Sequence, residues 1–404
     1  MSHWQEIPGG VTAPRGYRAA GVAAGLKPSG ALDLALIVSD VAAIAAGVFT
    51  TSQVRAACVD YCRQRLHQKA NAQAILCNAG QANAATGDVG KVDVLTQARL
   101  TAASLNIAPE AVLVASTGVI GQPIAMDKLE TALPHVVEQL SSQGSEQAAN
   151  AILTTDLVTK SIALEAHIGD RPVRIGGIAK GSGMIHPNMA TLLAFVTCDA
   201  AVSPHLWQQM ISHAAEQSFN QITVDGDTST NDMLLALANG QSRTPAITEI
   251  GPEAKLLQAM LTQVCIHLAK AIARDGEGAT CLIEVQVSGT PDNKAARLIA
   301  RTIAGSMLFK SAIFGRDPNW GRIAAAAGRA GVPFQQEKLY IRLGDFVLME
   351  NGTPQAFDRA AASNYLQQDP VIVTLRVGDG SGQGTAWGCD LSYDYVKINA
   401  EYTT

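Results

Sequence analysis

Short apolar runs recur along the chain at 34–38, 47–51, 74–77, 112–115, 173–178, 191–196, 282–287, 339–343, 371–377 and 393–398. Their length and their bounding turn residues predict strands. Two stretches instead repeat apolar residues every three to four positions. From about Pro252 to Arg274, Leu256, Leu257, Met260, Leu261, Val264 and Leu268 share one face and Gly276 follows as a stop, which predicts a helix. A second helix is expected from Ser203-Pro204, an N-cap followed by proline at the first helical position, with Trp207, Ile211, Ala214 and Ala215 facing inward. The run 282–288 alternates, so one face should meet water or polar partners, whereas 34–38 reads as buried on both faces. Mixed strands and helices make an α/β chain of layered sheets flanked by helices. Segments 141–147, 241–252 and 288–293 read as loops, and the last is a plausible boundary before a smaller C-terminal α/β lobe starting near 289. No repeat or low-complexity tract is visible.

The run 41–49 ends at nine residues, and no stretch reaches the ~18–20 uninterrupted apolar residues of a membrane helix, so a soluble chain is expected. Glu6 and Pro8 stand where a secretory signal would be basic and then apolar. The 404 residues are 47% hydrophobic and only 16% charged, with 36 glycines and a net charge of −5. Such a chain has no basic footprint for nucleic acid or an anionic membrane, and little polar surface with which to cover itself, so some surface is expected to be buried between subunits. Seven cysteines without a C-x-x-C pair suit reduced thiols in a cytoplasmic protein. Cys58 and Cys62, four apart, read as buried small side chains because no second pair of metal ligands follows.

Several chemical templates fail. Gly176 to Gly183 has the order Lys-Gly-Ser where a phosphate loop needs Gly-Lys-Ser/Thr. Gly378 to Gly384 lacks dinucleotide spacing and reads as a turn between strands. Asp225 to Asp232 resembles a calcium loop in its first three ligand positions, but Thr230 stands where glycine is needed and Ala236 where the bidentate acid should be; an oxygen-rich loop bonded to its own backbone is the alternative. The eight histidines are scattered, and no G-x-S-x-G elbow exists. What remains is K-G-S-G-M-I-H-P-N-M-A-T, Lys180 to Thr191, a polar glycine-rich loop that delivers a hydroxyl to the start of an apolar strand. Attack of that hydroxyl on the Ala190 carbonyl in an N-to-O acyl shift, followed by hydrolysis of the ester, would leave Thr191 with a free α-amine with a pKa near 7.7–8.0, a general base beside its own nucleophilic oxygen. A loop entering a core strand explains the same letters.

This segment resembles the processing and active-site segment of the ornithine acetyltransferase family (glutamate N-acetyltransferases), as do A-S-T-G-V-I-G (115–121), F-G-R-D-P-N-W-G-R (314–322) and the C-terminal D-Y-V-K-I-N-A-E-Y-T-T. The likeness runs from near residue 10 to the end. It implies an αββα-type, N-terminal-nucleophile-like fold and cleavage between Ala190 and Thr191 into an α chain, 1–190, and a β chain, 191–404, held as a heterotetramer of two copies each. It implies Thr191 as nucleophile, Thr117 and Gly118 as oxyanion donors, and Thr154, Lys180, Thr191, Glu277, Asn399 and Thr404 as substrate contacts. The implied reaction moves acetyl from N-acetylornithine to glutamate, leaving ornithine and N-acetylglutamate, with no metal or organic cofactor and with acetyl-CoA as an alternative donor. Lys180 suits a substrate α-carboxylate and Glu277 a substrate ammonium. His186 reads as loop structure, since the Thr191 amine already supplies the base, and Arg316, Asp317 and Arg322 as structural. The rival readings are a self-processing aminopeptidase or amidase and an unprocessed small-molecule binding protein.

Overall fold

The computed structural model of the chain describes residues 4–186 and 192–401. Its strands are β1 (Gln5–Ile7), β2 (Tyr17–Val22), β3 (Leu34–Phe49), β4 (Asn71–Gln81), β5 (Val112–Val119), β6 (Lys160–Ile168), β7 (Arg171–Lys180), β8 (Leu193–Cys198), β9 (Ile222–Thr223), β10 (Met233–Ala238), β11 (Leu282–Gly289), β12 (Tyr340–Leu343), β13 (Phe346–Glu350), β14 (Thr353–Pro354), β15 (Val371–Arg376) and β16 (Gly380–Cys389). Its helices are α1 (Ala57–Gln68), α2 (Gly87–Leu105), α3 (Met126–Glu138), α4 (Ser145–Ala151), α5 (Pro204–Gln217), α6 (Pro252–Arg274), α7 (Asn293–Ala304), α8 (Met307–Phe314), α9 (Trp320–Gly328), α10 (Arg359–Tyr365) and α11 (Tyr393–Glu401).

Two mixed sheets flanked by helices give the expected layered α/β class. The first runs β1-β6-β7-β8-β10-β3-β4-β5, with β2 also on β3; the second runs β14-β13-β12-β15-β11-β16-β9. One apolar core lies between the first sheet and α1 to α4. A second joins the other face of that sheet to α5 and α6, and α6 touches both sheets, packing on β6 and β7 and on β11 and β16. A third fills the second sheet and α7 to α9. Helix α6 has the length and apolar content of a membrane span, but Leu257, Met260, Leu261, Val264 and Leu268 are buried in the core as its periodicity requires. Helix α5 starts at Pro204 with Trp207 fully buried and its indole N–H donating to the Ala236 carbonyl at 3.2 Å. Ser203 occupies the N-cap position, yet its side chain makes no capping bond; its carbonyl accepts the Trp207 N–H.

Strand β11 behaves as its alternation requires: Ile283, Val285 and Val287 are buried, while Glu284 on the other face pairs with Lys270 and the Trp387 indole. The runs 34–38 and 47–51 are not separate strands. The first lies in, and the second reaches the end of, the single strand β3, which stops at Phe49, is interrupted by Ser39-Asp40 and is bent by a bulge between Val38 and Ala43. The expected loop 141–147 turns into α4 from Ser145, and the second sheet begins before residue 289, since β9 and β11 both belong to it. The expected strand 393–398 is helix α11. The Ser392 hydroxyl accepts the Asp394 N–H at 3.2 Å and so starts a helix, while Tyr393 and Val396, three apart, stay exposed.

The glycines at 380–384 form strand rather than a turn, because the chain entering α7 lies directly on β16. A Cβ on Gly382 would stand 2.3 Å from the Asp292 carbonyl oxygen. Gly382→Ala should therefore destabilise the protein by about 1–3 kcal/mol, measured as a lowered urea midpoint. Gly328→Ala, in a helix with open space where the methyl would go, should leave the midpoint unchanged or raise it.

Candidate active site

The two central parallel strands of the first sheet set the position of the site. Leu193 of β8 pairs with Met233 of β10, and Lys180, the last residue of β7, pairs with Leu193. The end of β7 and the beginnings of β8 and β10 thus meet at one edge. The end of β5 is brought to the same place by Asn231, whose amide donates to the carbonyls of Ala82 (2.5 Å) and Ser116 (2.7 Å). Thr117 and Gly118 follow immediately. Gly118 lies against Gly80, where a Cβ would come within 2.3 Å of the Gly80 carbonyl carbon, and its φ of 131° excludes other residues.

Behind these strands lies a buried charge network. Lys160 and Asp156 have fully buried side chains 2.8 Å apart, and Lys160 also reaches Asp275 at 2.6 Å. Asp156 further accepts the N–H groups of Gly181 (2.6 Å) and Thr154 (3.0 Å), and Lys180 stands 3.8 Å from it. Burial alone would push the Asp156 carboxyl up, but Lys180, Lys160 and the Gly181 N–H together hold it well below the usual carboxylate range. Lys180 is fixed by this arrangement: its ammonium donates to the Thr154 hydroxyl at 2.5 Å and lies 3.4 Å from the Thr117 hydroxyl.

The segment after Lys180 is anchored residue by residue. The Ser182 hydroxyl donates to the Asp275 carbonyl, and Asp225 accepts the Met184 and Ile185 N–H groups at 2.6 and 2.9 Å. Burial raises the Asp225 carboxyl despite these donors. His186 bonds Thr223 at 2.9 Å and its carbonyl accepts from Thr228; it is loop structure. The Leu192 carbonyl accepts the Met233 N–H at 2.9 Å. Glu277 lies against Gly183, which leaves no room for a Cβ there, and accepts from the Asn399 amide at 2.7 Å.

A cavity of about 270 Å³ collects these groups: Thr117, Gly118, Thr154, Lys180, Glu277 and Asn399 all line it, with Asp225, Asp227, Asp232 and Tyr395. A small cavity with one fixed ammonium and several carboxyl groups suits a compact ligand bearing both signs of charge. Six of the residues expected from the sequence therefore share one site; Ala190, Thr191 and Thr404 lie outside the described residues. Asp156, Lys160 and Asp275 were not expected, because a carboxylate that acts by holding other side chains has no motif of its own. In Asp225 to Asp232 the Asp225 carboxylate bonds backbone N–H groups at 184, 185 and 227, so its oxygens are used in holding the loop. Cys58 and Cys62 are buried thiols, Cys58 pushed up to about 11 by burial and Cys62 further still. In 314–322, Asn319 caps α9, Asp317 pairs with Arg359, and Phe314 stacks edge-on with Tyr393 at 5.5 Å, bracing the helix that carries Tyr395 and Asn399.

Asp156 stays ionised in the fold where the unfolded chain would bind a proton, so its stabilisation is complete above about pH 4 and is lost as pH falls below that value. Asp156→Asn should cost about 3–5 kcal/mol at neutral pH by removing the carboxylate beside Lys180 and one of the two that pair with Lys160. In urea titrations the variant should also lose less stability than the wild type between about pH 4 and lower values.

A sequence model described as the ArgJ family matches residues 18–404. "Arginine biosynthesis bifunctional protein ArgJ 1" of Nostoc sp. is 73% identical over 100% of both chains, and "Arginine biosynthesis bifunctional protein ArgJ" of Synechocystis sp. is 66% identical, again over 100% of both. Among solved structures, the arginine biosynthesis bifunctional protein argJ of Bacillus halodurans is 45% identical with a TM-score of 0.51, covering 52% of this chain and 98% of its own. The chain belongs to the ArgJ family of bifunctional arginine biosynthesis proteins.

Proposed function

We propose that the chain moves an acetyl group from N-acetylornithine to glutamate through an acetyl ester on Thr191, after cutting itself between Ala190 and Thr191. The observation that carries this reading is the convergence of Thr117, Gly118, Thr154, Lys180, Glu277 and Asn399 on one cavity at the start of β8, with the sequence placing a threonine just before that strand. Lys180, steadied by Thr154 and Asp156, takes the substrate α-carboxylate; Glu277, oriented by Asn399, takes the side-chain ammonium of ornithine. Thr117 and Gly118 stabilise the oxyanion that forms when Thr191 attacks the acetyl carbonyl. Ornithine leaves, and the amine of glutamate takes the acetyl group to give N-acetylglutamate. Amide is exchanged for amide, so the transfer needs no metal or organic cofactor, and acetyl-CoA is a second donor for the same ester. Thr404 is the remaining substrate contact that the family resemblance implies.

The cut yields chains 1–190 and 191–404, assembled as a heterotetramer of two copies each in the cytoplasm. The half-length polypeptide of the Bacillus halodurans relative, matched over 98% of its length yet covering 52% of this chain, supports a two-chain product. Identities of 73% and 66% to proteins named for arginine biosynthesis favour transfer over an amidase.

Purified wild-type protein should give two bands of about 20 and 22 kDa under denaturing conditions, in proportion to the chain's length, and Thr191→Ala a single band near 42.2 kDa. Thr191→Ala should also abolish acetyl transfer in assays with N-acetylornithine and glutamate. Full transfer by that variant would refute the assignment, and repeating the wild-type assay with acetyl-CoA reads the second donor.

A further inference from the structure

Glu277 is only 8% exposed and lines the cavity. The side chain that bonds it is the neutral Asn399 amide, and no Lys or Arg pairs with it among the described residues. A buried carboxylate without a cation is costly until one arrives to balance it. Its backbone is held from below. The Ser182 hydroxyl donates to the Asp275 carbonyl at 2.6 Å, and the Ser182 carbonyl accepts the Glu277 N–H at 3.3 Å. Asp275 pairs with Lys160, Lys160 with Asp156, and Asp156 stands 3.8 Å from Lys180. Lys180 and Glu277 are therefore joined through one closed ring of bonds, and what remains adjustable is the outer end of the Glu277 side chain. Gly183 borders that end. A Cβ on Gly183 would fall 2.4 Å from Cδ and Oε1 of Glu277 and 2.5 Å from Oε2. The Gly183 backbone lies outside the left-handed region, so alanine there meets no backbone strain. What it meets first is a carboxylate on a side chain that can swing away.

We propose that Gly183 determines specificity for side-chain charge: its missing side chain leaves the place in which the Glu277 carboxylate meets a substrate ammonium. This rests on the reading above in which Lys180 takes the α-carboxylate and Glu277 the ammonium of ornithine. Gly183 has no side chain to offer a substrate and acts through Glu277, as a positioning residue. A methyl group at 183 displaces the carboxylate without removing its charge. A charge-assisted hydrogen bond depends on direct contact at about 2.7–2.9 Å, so the displaced carboxylate loses it. Glutamate carries no side-chain ammonium, and its half of the transfer does not draw on that contact. The position thus governs the donor with a cationic side chain and leaves the acceptor with an anionic one alone.

The test compares the full chains of wild type, Gly183→Ala, Glu277→Ala and the double variant, with glutamate as acceptor. The acetyl donor is N-acetylornithine or N-acetylnorvaline, which has the same carbon chain without the ammonium. Ratios of kcat/KM taken on one preparation do not depend on how much of the enzyme is active. Gly183→Ala should lower the preference for N-acetylornithine over N-acetylnorvaline about 10–100-fold, the span of one hydrogen bond to a charged group. Its kcat/KM for glutamate should change less than about twofold, and so should the donor preference when Gly183→Ala is added to Glu277→Ala, since a residue acting through Glu277 has nothing left to act on. An unchanged preference in Gly183→Ala, an equal fall for both donors and for glutamate, or the same loss in the Glu277→Ala background overturns the proposal. So does a Gly183→Ala chain that transfers no acetyl from either donor. A wild-type enzyme that does not use N-acetylornithine, or does not prefer it to N-acetylnorvaline, overturns instead the reading on which the proposal rests, so the two failures are told apart.

Discussion

A buried carboxylate held between two ammonium groups is the constraint from which the site is built. Asp156 touches Lys160 and the N–H groups of Thr154 and Gly181, and it stands beside Lys180. Thr154 and Lys180, both facing the cavity, are thereby set by one buried group. Desolvating three charges is costly, and leaving one of them unbalanced costs more, so the network fixes a geometry more than it adds stability. The low charge content of the chain makes its concentration here informative: Lys160, Lys180, Asp232, Asp275 and Glu277 are among its few buried charged residues.

Around this network the sheet provides position and the loops provide chemistry. β7, β8 and β10 bring Lys180, Leu192 and Asp232 to one edge by register alone. The end of β5 arrives from the other half of the sheet, across the bend in β3, and Asn231 ties it in place. Glycines at 118 and 183 let backbone approach where any side chain would collide. The second sheet contributes through α11, which is braced by Phe314 and carries Asn399 to Glu277. The site therefore draws on residues from both sides of the 190–191 junction, which fits products that remain associated after a cut.

How much of this could be read in the sequence depended on whether a feature was local. Helix α6 was legible to its ends because its period is long and regular, and β11 because its alternation matches one wet face. β3 was split in two because Ser39-Asp40 interrupt its apolar run, although the strand simply bends there. The run 393–398 suggests a strand, because apolar alternation over six residues does not reveal that Ser392 starts a helix. In the site, motif resemblance supplied Thr117, Gly118, Thr154, Lys180, Glu277 and Asn399, and the fold gathers all six. It was silent on Asp156, Lys160 and Asp275, whose partners lie far along the chain, and Asp232 was hidden inside a run that looked like a cation loop.

On the proposed reading, the Thr191 hydroxyl carries the acetyl group between two amines. The direct measurement is to mix the enzyme with N-acetylornithine in the absence of glutamate, quench it in acid, and locate added acetyl by peptide mass spectrometry. One acetyl group is expected on Thr191, at the N-terminus of the 191–404 product, removed when glutamate is added before the quench. Acetyl found on a different residue, or on none while transfer proceeds at full rate, would contradict it.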